Sequence, residues 1–266
     1  MKAFSWSILA LRATSLGYAQ DLCGTVEPPT EAVKAARELQ WSQRSGEFSS
    51  ADIRNETLLI NTYVHIVERE EDAGFITDRM LEDQMIVLNE TFAPHRIQFV
   101  LQNVSHSVNT AWASTTRHKE KQETLRRGSY DDLNIYFESG VGIRPGTITG
   151  LCEFPVQDPI NEGINGTSWA VWDGCHVGAA TMPGGPGVPG DPEDNQGKTA
   201  THEVGHWFGL FHVFHGFSCE GEGDFVDDTP AMITASEGCT IGQDTCPDQP
   251  GLDPIHNYMD YSSNPW

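Results

Sequence analysis

The segment from Thr201 to His212, Thr-His-Glu-Val-Gly-His-Trp-Phe-Gly-Leu-Phe-His, strongly constrains how this part of the chain folds. His202 and His206 are four residues apart, so on a helix both imidazoles project from one face. Gly209 can adopt a left-handed conformation that ends the helix, which lets His212 approach the same point from another side. Three neutral imidazoles leave one position of a tetrahedral zinc ion open for water. Glu203 can reach that water, which makes it the candidate general base.

The full pattern is too specific to arise easily by accident. In a chain with 10 His and 26 Gly, His-Glu-x-x-His alone is expected by chance in roughly 3 of 100 shuffled chains. The added glycine and third histidine lower this to roughly 1 in 10,000. The alternative is a buried helix with ordinary core histidines. That alternative accounts for the apolar residues of the segment but for none of its polar ones.

Residues 202–212 match the metzincin signature His-Glu-x-x-His-x-x-Gly-x-x-His. Two later blocks narrow the resemblance: Gly-Asp-Phe-Val-Asp-Asp-Thr-Pro at 223–230 and Asp-Pro-Ile-His-Asn-Tyr-Met-Asp-Tyr at 253–261. Together the three blocks resemble the pappalysin family of metzincins, in particular its secreted fungal extracellular metalloproteases. The resemblance extends from about Asn55 to Tyr261.

The resemblance implies roles for individual residues. Met259, 47 residues after His212, would form the methionine turn beneath the metal, and Tyr261 would help to stabilise the transition state. Glu203 would be catalytic, and the zinc ligands would be His202, His206 and His212. The implied fold is α+β, a metzincin-type zincin. Its upper α/β subdomain contains a twisted sheet and the active-site helix, and its lower irregular subdomain contains the methionine turn.

Residue patterns outside the motif also predict an α/β upper part. Residues 58–67, 97–101 and 133–137 have the β-branched, alternating composition of strands. Thr77 is placed to cap a helix with apolar residues at helical spacing that ends before Pro94. The chain after the motif is rich in Gly, Pro, Asp and Cys, which predicts a mostly irregular lower part.

The N-terminus has the features of an export signal. Lys2 precedes an apolar run that ends at Leu11, and small residues follow near position 19, so we expect a signal peptide at 1–19. Residues 20–54 are expected to form a leader or pro-segment, few of whose residues could join a core. The upper catalytic subdomain is then 55–212 and the lower subdomain 213–266. Four glycosylation sequons agree with secretion: Asn55, Asn89, Asn103 and Asn165.

The charge distribution excludes some function classes. The net charge is -22, and residues 145–266 contain 18 acidic residues against the single basic Lys198. Such a surface would repel phosphate backbones, so nucleic acid is not an expected partner. No run of 18 apolar residues is present, so we expect no membrane span. Asp224, Asp227 and Asp228 are candidate calcium ligands, with a solvated acidic loop as the alternative.

The six cysteines suit an oxidising compartment. Cys152 and Cys175 flank a 22-residue loop and are expected to pair, and the resemblance implies that Cys219 pairs with Cys246. Cys23 is a candidate fourth zinc ligand that keeps a precursor latent, with an ordinary disulfide as the alternative. The resemblance also implies a further cysteine and a C-terminal helix beyond Trp266. We therefore expect a truncated, less stable chain in which Cys239 lacks its usual partner.

The sequence therefore predicts a secreted, monomeric zinc endopeptidase that cleaves extended polypeptides. In metzincins the substrate pairs with an edge strand, and residues 177–182 match that position, although an ordinary structural strand is an equal alternative. Two other functions remain open. One is a zinc-binding but catalytically silent protein, which the intact Glu203 disfavours. The other is a hydrolase of small molecules on the same scaffold.

Overall fold

The computed structural model describes residues 23–25, 27–46, 56–144, 147–160, 163–164, 167–236 and 238–262. The predicted signal peptide lies outside these residues, as does the chain from 47 to 55 at the end of the predicted leader. Within the described part of the chain, no helix is both long and apolar enough to cross a bilayer.

A five-stranded, mostly parallel sheet forms the centre of the upper part. Its strands are β1 (Leu58–Glu68), β2 (Ile97–Val108), β3 (Leu133–Glu138), β4 (Gly150–Cys152) and β7 (Cys175–Gly178). Their order across the sheet is β2-β1-β3-β7-β4, and β4 runs antiparallel to β7. Two short strands, β5 (Gly163–Ile164) and β6 (Thr167–Ser168), form a separate pair. β3 is buried along its whole length because it lies inside the sheet and apolar clusters cover both of its faces.

The helices of the described chain are α1 (Thr30–Ser45), α2 (Asp78–Phe92), α3 (Thr110–Ala113), α4 (Lys119–Leu125), α5 (Trp169–Trp172) and α6 (Lys198–Trp207). Thr77 caps α2 as predicted, since its hydroxyl accepts a hydrogen bond from the Met80 N–H at 3.2 Å. One face of the sheet packs on α2 and α6 and forms the largest apolar core. This mixed architecture confirms the predicted α+β class.

Two strand predictions need correction. β2 continues to Val108, beyond the predicted end at 101, because it lies at the edge of the sheet, where polar side chains remain in solvent. Residues 177–182 do not form an edge strand: β7 ends at Gly178 and lies between β3 and β4, and Ala179–Thr181 is a short 3-10 helix. The edge is β4, which is only three residues long and has no strand signal in its sequence.

The chain after α6 forms neither helix nor strand in its described residues, in agreement with the predicted irregular part. The disulfide Cys219–Cys246 links two of its loops, and Cys152–Cys175 ties β4 to β7 in the sheet. Both pairs are those expected from the sequence. A small apolar cluster beneath α6 contains Val213, Phe214, Met232, Ala235 and Met259.

The leader contributes more to the fold than its sequence predicts. Cys23 and Gln40 are buried, with exposed fractions of 6% and 3%. On α1, Ala32, Val33 and Ala36 pack against the aromatic cluster of Phe154, Phe211 and Phe225. Few leader residues join a core, as expected, since only Cys23 and Gln40 are buried among its described residues. The leader nevertheless packs on the body, through small, partly buried residues on one face of α1.

A buried ion pair lies on the other face of the sheet. Lys121 on α4 donates a hydrogen bond to the Glu138 carboxylate at the end of β3, and neither side chain is exposed. His176 also contacts this carboxylate, through Nδ1 at 3.0 Å. Loss of one partner would leave a buried charge uncompensated.

We expect Lys121→Met to lower the free energy of unfolding by about 3–5 kcal/mol, because it isolates the Glu138 carboxylate. Adding Glu138→Gln should recover part of this loss, since it removes the isolated charge. Lys119→Met, on the exposed side of the same helix, is the matched control and should change stability by less than about 0.5 kcal/mol. Urea unfolding measures all three, and an unchanged midpoint for Lys121→Met would contradict the prediction.

Candidate metal centre

The helix α6 positions the first two candidate ligands. It ends in a Schellman motif, in which Gly209 N–H donates to His206 C=O at 2.8 Å and Leu210 N–H donates to Gly205 C=O at 2.9 Å. Gly209 has a φ of 88°, which only glycine adopts without strain. The chain therefore reverses after the helix and returns His212 toward the same point, as the sequence predicts.

The three imidazoles converge through their Nε2 atoms. The distance is 3.1 Å from His206 to His202, 3.1 Å from His206 to His212 and 3.2 Å from His212 to His202. His202 Nδ1 lies 2.6 Å from the Tyr258 carbonyl, and His206 Nδ1 lies 2.8 Å from the Leu210 carbonyl. A carbonyl can only accept, so these two Nδ1 atoms carry the proton and their Nε2 atoms present lone pairs.

Burial keeps this cluster neutral. It lowers the pKa of His202 to about 4, and it also lowers the pKa of His206 and of His212 well below the usual histidine value. Neutral imidazole is the form that binds a metal ion. The site therefore presents ligand atoms in the required protonation state at neutral pH.

The donor set fits zinc. Nitrogens bound to one tetrahedral zinc at about 2.0–2.1 Å are separated by about 3.3–3.4 Å, close to the separations observed here. Lone pairs that face one another cannot form hydrogen bonds, whereas a cation between them satisfies all of them. Within the described residues, this cluster together with Cys23 is the one group of three or more His, Cys, Asp or Glu side chains close enough to hold a metal ion.

Glu203 lies beside the three imidazoles and is fully buried. Its carboxylate packs against β4, where a Cβ atom at Gly150 would be only 2.4 Å from Oε1. Oε1 has no hydrogen-bond partner among the described residues. Burial raises the pKa of Glu203 to about 8, although hydrogen bonds from Cys23 and Thr25 of the leader act to lower this pKa.

A tight turn beneath the helix contains Met259. The Asn257 side-chain oxygen accepts a hydrogen bond from the Met259 N–H at 2.9 Å. The backbone carbonyl of Asn257 accepts one from the Asp260 N–H at 3.0 Å. A Cβ atom at Gly205 would lie 2.5 Å from the Met259 sulfur, so the glycine lets the methionine pack directly under α6. The ring of Tyr261 lies 5.8 Å from that of His202, measured between centroids.

The leader covers the open side of the cluster. The sulfur of Cys23 joins the three imidazole nitrogens in a group whose ligand atoms all lie within 4.8 Å of one another, and it lies 3.6 Å from Glu203 Oε2. Thr25 accepts from the Cys152 N–H at 3.0 Å and donates to Glu203 Oε2 at 3.1 Å. The backbone of Cys23 also forms an isolated parallel β-bridge with Gly150. Burial and the nearby Glu203 raise the pKa of the Cys23 thiol, which a metal ion would reverse.

The three candidate calcium ligands are not brought together into a metal-binding group in the described structure. Asp227 accepts hydrogen bonds from Arg44 and Gln40 of α1, and Asp224 accepts from the Val226 N–H at 3.0 Å. Calcium binding stays an untested prediction. Cys239 is in neither disulfide and is partly buried.

Comparisons with known proteins identify the class of protein. Residues 189–265 match the family described as pregnancy-associated plasma protein-A. The chain is 42% identical to the extracellular metalloprotease of Pyricularia oryzae, over 99% of this chain and 89% of that protein. It is also 42% identical to extracellular metalloprotease 1 of Coccidioides posadasii, over 98% of this chain and 87% of that protein. The fold is similar to that of mature mirolysin from Tannerella forsythia, with a TM-score of 0.59 and 24% identity over 79% of this chain and 86% of that one.

The fold and the comparisons define a metalloprotease of the metzincin class. The chain belongs to the pappalysin family of extracellular metalloproteases. It is therefore a secreted hydrolase that acts on polypeptides.

Two residues that contact the site were not predicted as site residues. Thr25 lies two residues after Cys23 and belongs to no motif identified above, and Gly150 lies in a short run with no motif. Both matter because of tertiary contacts with Glu203, more than 50 residues away. No local pattern in the sequence could have identified them.

We expect Gly150→Ala to lower the turnover of the enzyme about 10–100-fold, because the new methyl group would displace the Glu203 carboxylate. Turnover is measured after removal of the N-terminal segment, which also contacts Gly150. Zinc content and the melting temperature serve as controls and should stay close to wild type, since the three nearest atoms in the clash all belong to the Glu203 side chain and none to the backbone. Wild-type turnover in the variant would contradict the prediction.

Proposed function

We propose that this enzyme is a zinc-dependent endopeptidase in which His202, His206 and His212 hold one zinc ion and Glu203 is the general base. The observation that carries the proposal is the convergence of three imidazole nitrogens at 3.1–3.2 Å. The buried carboxylate beside them supports catalysis over simple metal binding. A catalytically silent protein would need no such group at this position.

Side chains of the protein transfer the protons and orient the reacting groups. When bound, zinc supplies a water molecule of lowered pKa and polarises the peptide carbonyl. Glu203 accepts a proton from the attacking water and later donates it to the leaving nitrogen. Tyr261 is proposed to donate a hydrogen bond to the developing oxyanion, and the contact of its ring with His202 supports this role. Met259 supports α6 from below.

We propose that the substrate is an extended polypeptide that lies along the edge strand β4. This edge carries backbone groups that can pair with an extended chain, as the bond from Gly24 N–H to Gly150 C=O at 2.7 Å illustrates. The adjoining cavity is lined by carboxylates, among them Asp191, Asp194 and Asp260, and by one cation, Lys198. This negatively charged lining would repel phosphate groups, whereas the uncharged backbone of a peptide could lie against it.

We also propose that residues 1–19 are a signal peptide and that 20–54 form an inhibitory pro-segment before the catalytic parts at 55–212 and 213–266. Cys23 is proposed to hold the remaining position of the zinc ion in the precursor. Its position beside the three imidazoles supports this role. Thr25 adds to the inhibition because its hydroxyl donates a hydrogen bond to the Glu203 carboxylate, which is then not free to accept a proton from water.

Replacing Glu203 should separate metal binding from catalysis. We expect Glu203→Ala to retain one zinc per chain, because the three imidazoles remain. Turnover should fall about 10²–10⁴-fold, since no group takes the proton from the attacking water. Casein digestion and atomic absorption measure the two properties on pro-segment-free protein. Equal proteolysis by the variant and by wild type, both purified to constant activity, would rule out the assignment.

Replacing Cys23 tests the inhibitory role of the pro-segment. We expect uncleaved Cys23→Ala precursor to hydrolyse a peptide about tenfold faster or more than wild-type precursor, because the sulfur no longer competes with water for zinc. Cys239→Ala is the matched control and should leave the precursor inactive. Mass spectrometry confirms that residues 20–54 are still attached. An inert Cys23→Ala precursor would contradict the proposal.

A further inference from the structure

Helix α1 contacts the body through residues other than Glu203, Cys152 and Gly150, which are the hydrogen-bond and β-bridge partners of Cys23 and Thr25. We propose that this contact is a separate docking site, and that it holds the pro-segment on the enzyme even after the chain is cut between α1 and β1. Cleavage alone would then leave the protease inhibited, and undocking of α1 would be the activating step. The consequence for activity rests on the proposed inhibitory role of Cys23.

The apolar part of the docking site is aromatic. Phe154, Phe211 and Phe225 form a buried cluster, and small residues of α1 pack against it. Gln40 follows on the same face of the helix and is 3% exposed. These contacts fix the face and the register of α1 on the body.

Two arginines add charge contacts on either side of Gln40. Arg37 donates through Nε and Nη2 to the Glu222 carboxylate, at 2.9 and 2.6 Å to Oε2. Arg44 donates in the same bidentate manner to Asp227, at 2.9 and 2.6 Å. The arginines are seven residues apart, which is about two helical turns, so both reach the same surface. Gln40 donates to Asp227 at 2.7 Å.

The charge of the body makes α1 a complementary partner. Lys198 is the only Lys or Arg from residue 145 to the end of the chain, so the acidic lower part has almost no cation of its own. Arg37 and Arg44 supply two, and Arg37 also lies 5.7 Å above the Phe225 ring. Bidentate pairs of this kind fix orientation as well as adding binding energy.

Docking of α1 also determines how effectively Cys23 blocks the metal. Cys23 is seven residues before α1, so a docked helix keeps the thiol at a high effective concentration near the three imidazoles. Cutting the chain after α1 leaves that tether unchanged. The pro-segment is therefore expected to rebind faster than a substrate can displace it while α1 stays docked.

The test uses the full chain with a recognition sequence for a specific protease substituted into residues 47–55. The chain is cut at this sequence, and gel filtration then shows whether the pro-segment elutes with the body. In the Cys23→Ala background, the cut pro-segment should still elute with the body at about 50 mM salt. In Cys23→Ala with Arg37→Gln and Arg44→Gln, binding should be about tenfold weaker, so the segment separates. Cys23→Ala with Lys34→Gln, on the exposed side of α1, is the matched control and should retain it.

A second pair of variants tests the body side, in case changes in α1 disturb the helix itself. In the Cys23→Ala background, Glu222→Gln with Asp227→Asn should release the cut segment, whereas Glu220→Gln should retain it. Salt near 1 M should weaken retention in the Cys23→Ala protein, because the charge contacts are half exposed.

Loss of the segment from cut Cys23→Ala protein at low salt would overturn the proposal. Equal retention by the double arginine variant and its control would also overturn it. Retention is measured without substrate, so a failure of the proposed zinc chemistry would leave this result unaffected and would show in the activity assays alone.

Discussion

The arrangement of the site depends on the repulsion between imidazole lone pairs that face one another. His202 and His206 each direct an unprotonated Nε2 toward a point shared with His212, because their Nδ1 atoms donate to backbone carbonyls. A neutral His212 has at most one Nε2 proton to donate to them, so without a cation at least one buried acceptor would lack a full hydrogen bond, which is unfavourable. A metal ion bound by the three imidazoles, as we propose, would convert this unfavourable contact into three bonds and would couple metal binding to the folding of this region.

The backbone around the cluster is built to hold this geometry. Gly209 ends the helix and turns the chain so that His212, the proposed third ligand, returns, and the Leu210 carbonyl in the same turn orients His206. The Tyr258 carbonyl, one residue before Met259, orients His202. The turn that contains Met259 therefore both packs under α6 and fixes His202, a proposed ligand, which connects the irregular lower part directly to the candidate metal centre.

The sequence predicted those features that depend on local spacing. The convergence of the three imidazoles, the helix end at Gly209 and the cap at Thr77 all follow from residues a few positions apart, and all have the predicted local geometry. The edge strand β4 could not be predicted, because three residues of low strand propensity become a strand only through pairing with β7. The docking of α1 could not be predicted for a similar reason. Its arginines form ion pairs only because the fold places them opposite Glu222 and Asp227, which are distant in sequence.

We propose above that three imidazoles and the Cys23 sulfur surround one zinc ion in the precursor. X-ray absorption at the zinc edge of the uncut precursor, with residues 20–54 attached, measures these ligands directly. We expect three nitrogen ligands at about 2.0–2.1 Å and one sulfur ligand at about 2.3 Å, with the sulfur contribution lost in Cys23→Ala. A first shell of nitrogen and oxygen alone in the wild-type precursor, or a chain that binds no zinc, would contradict it.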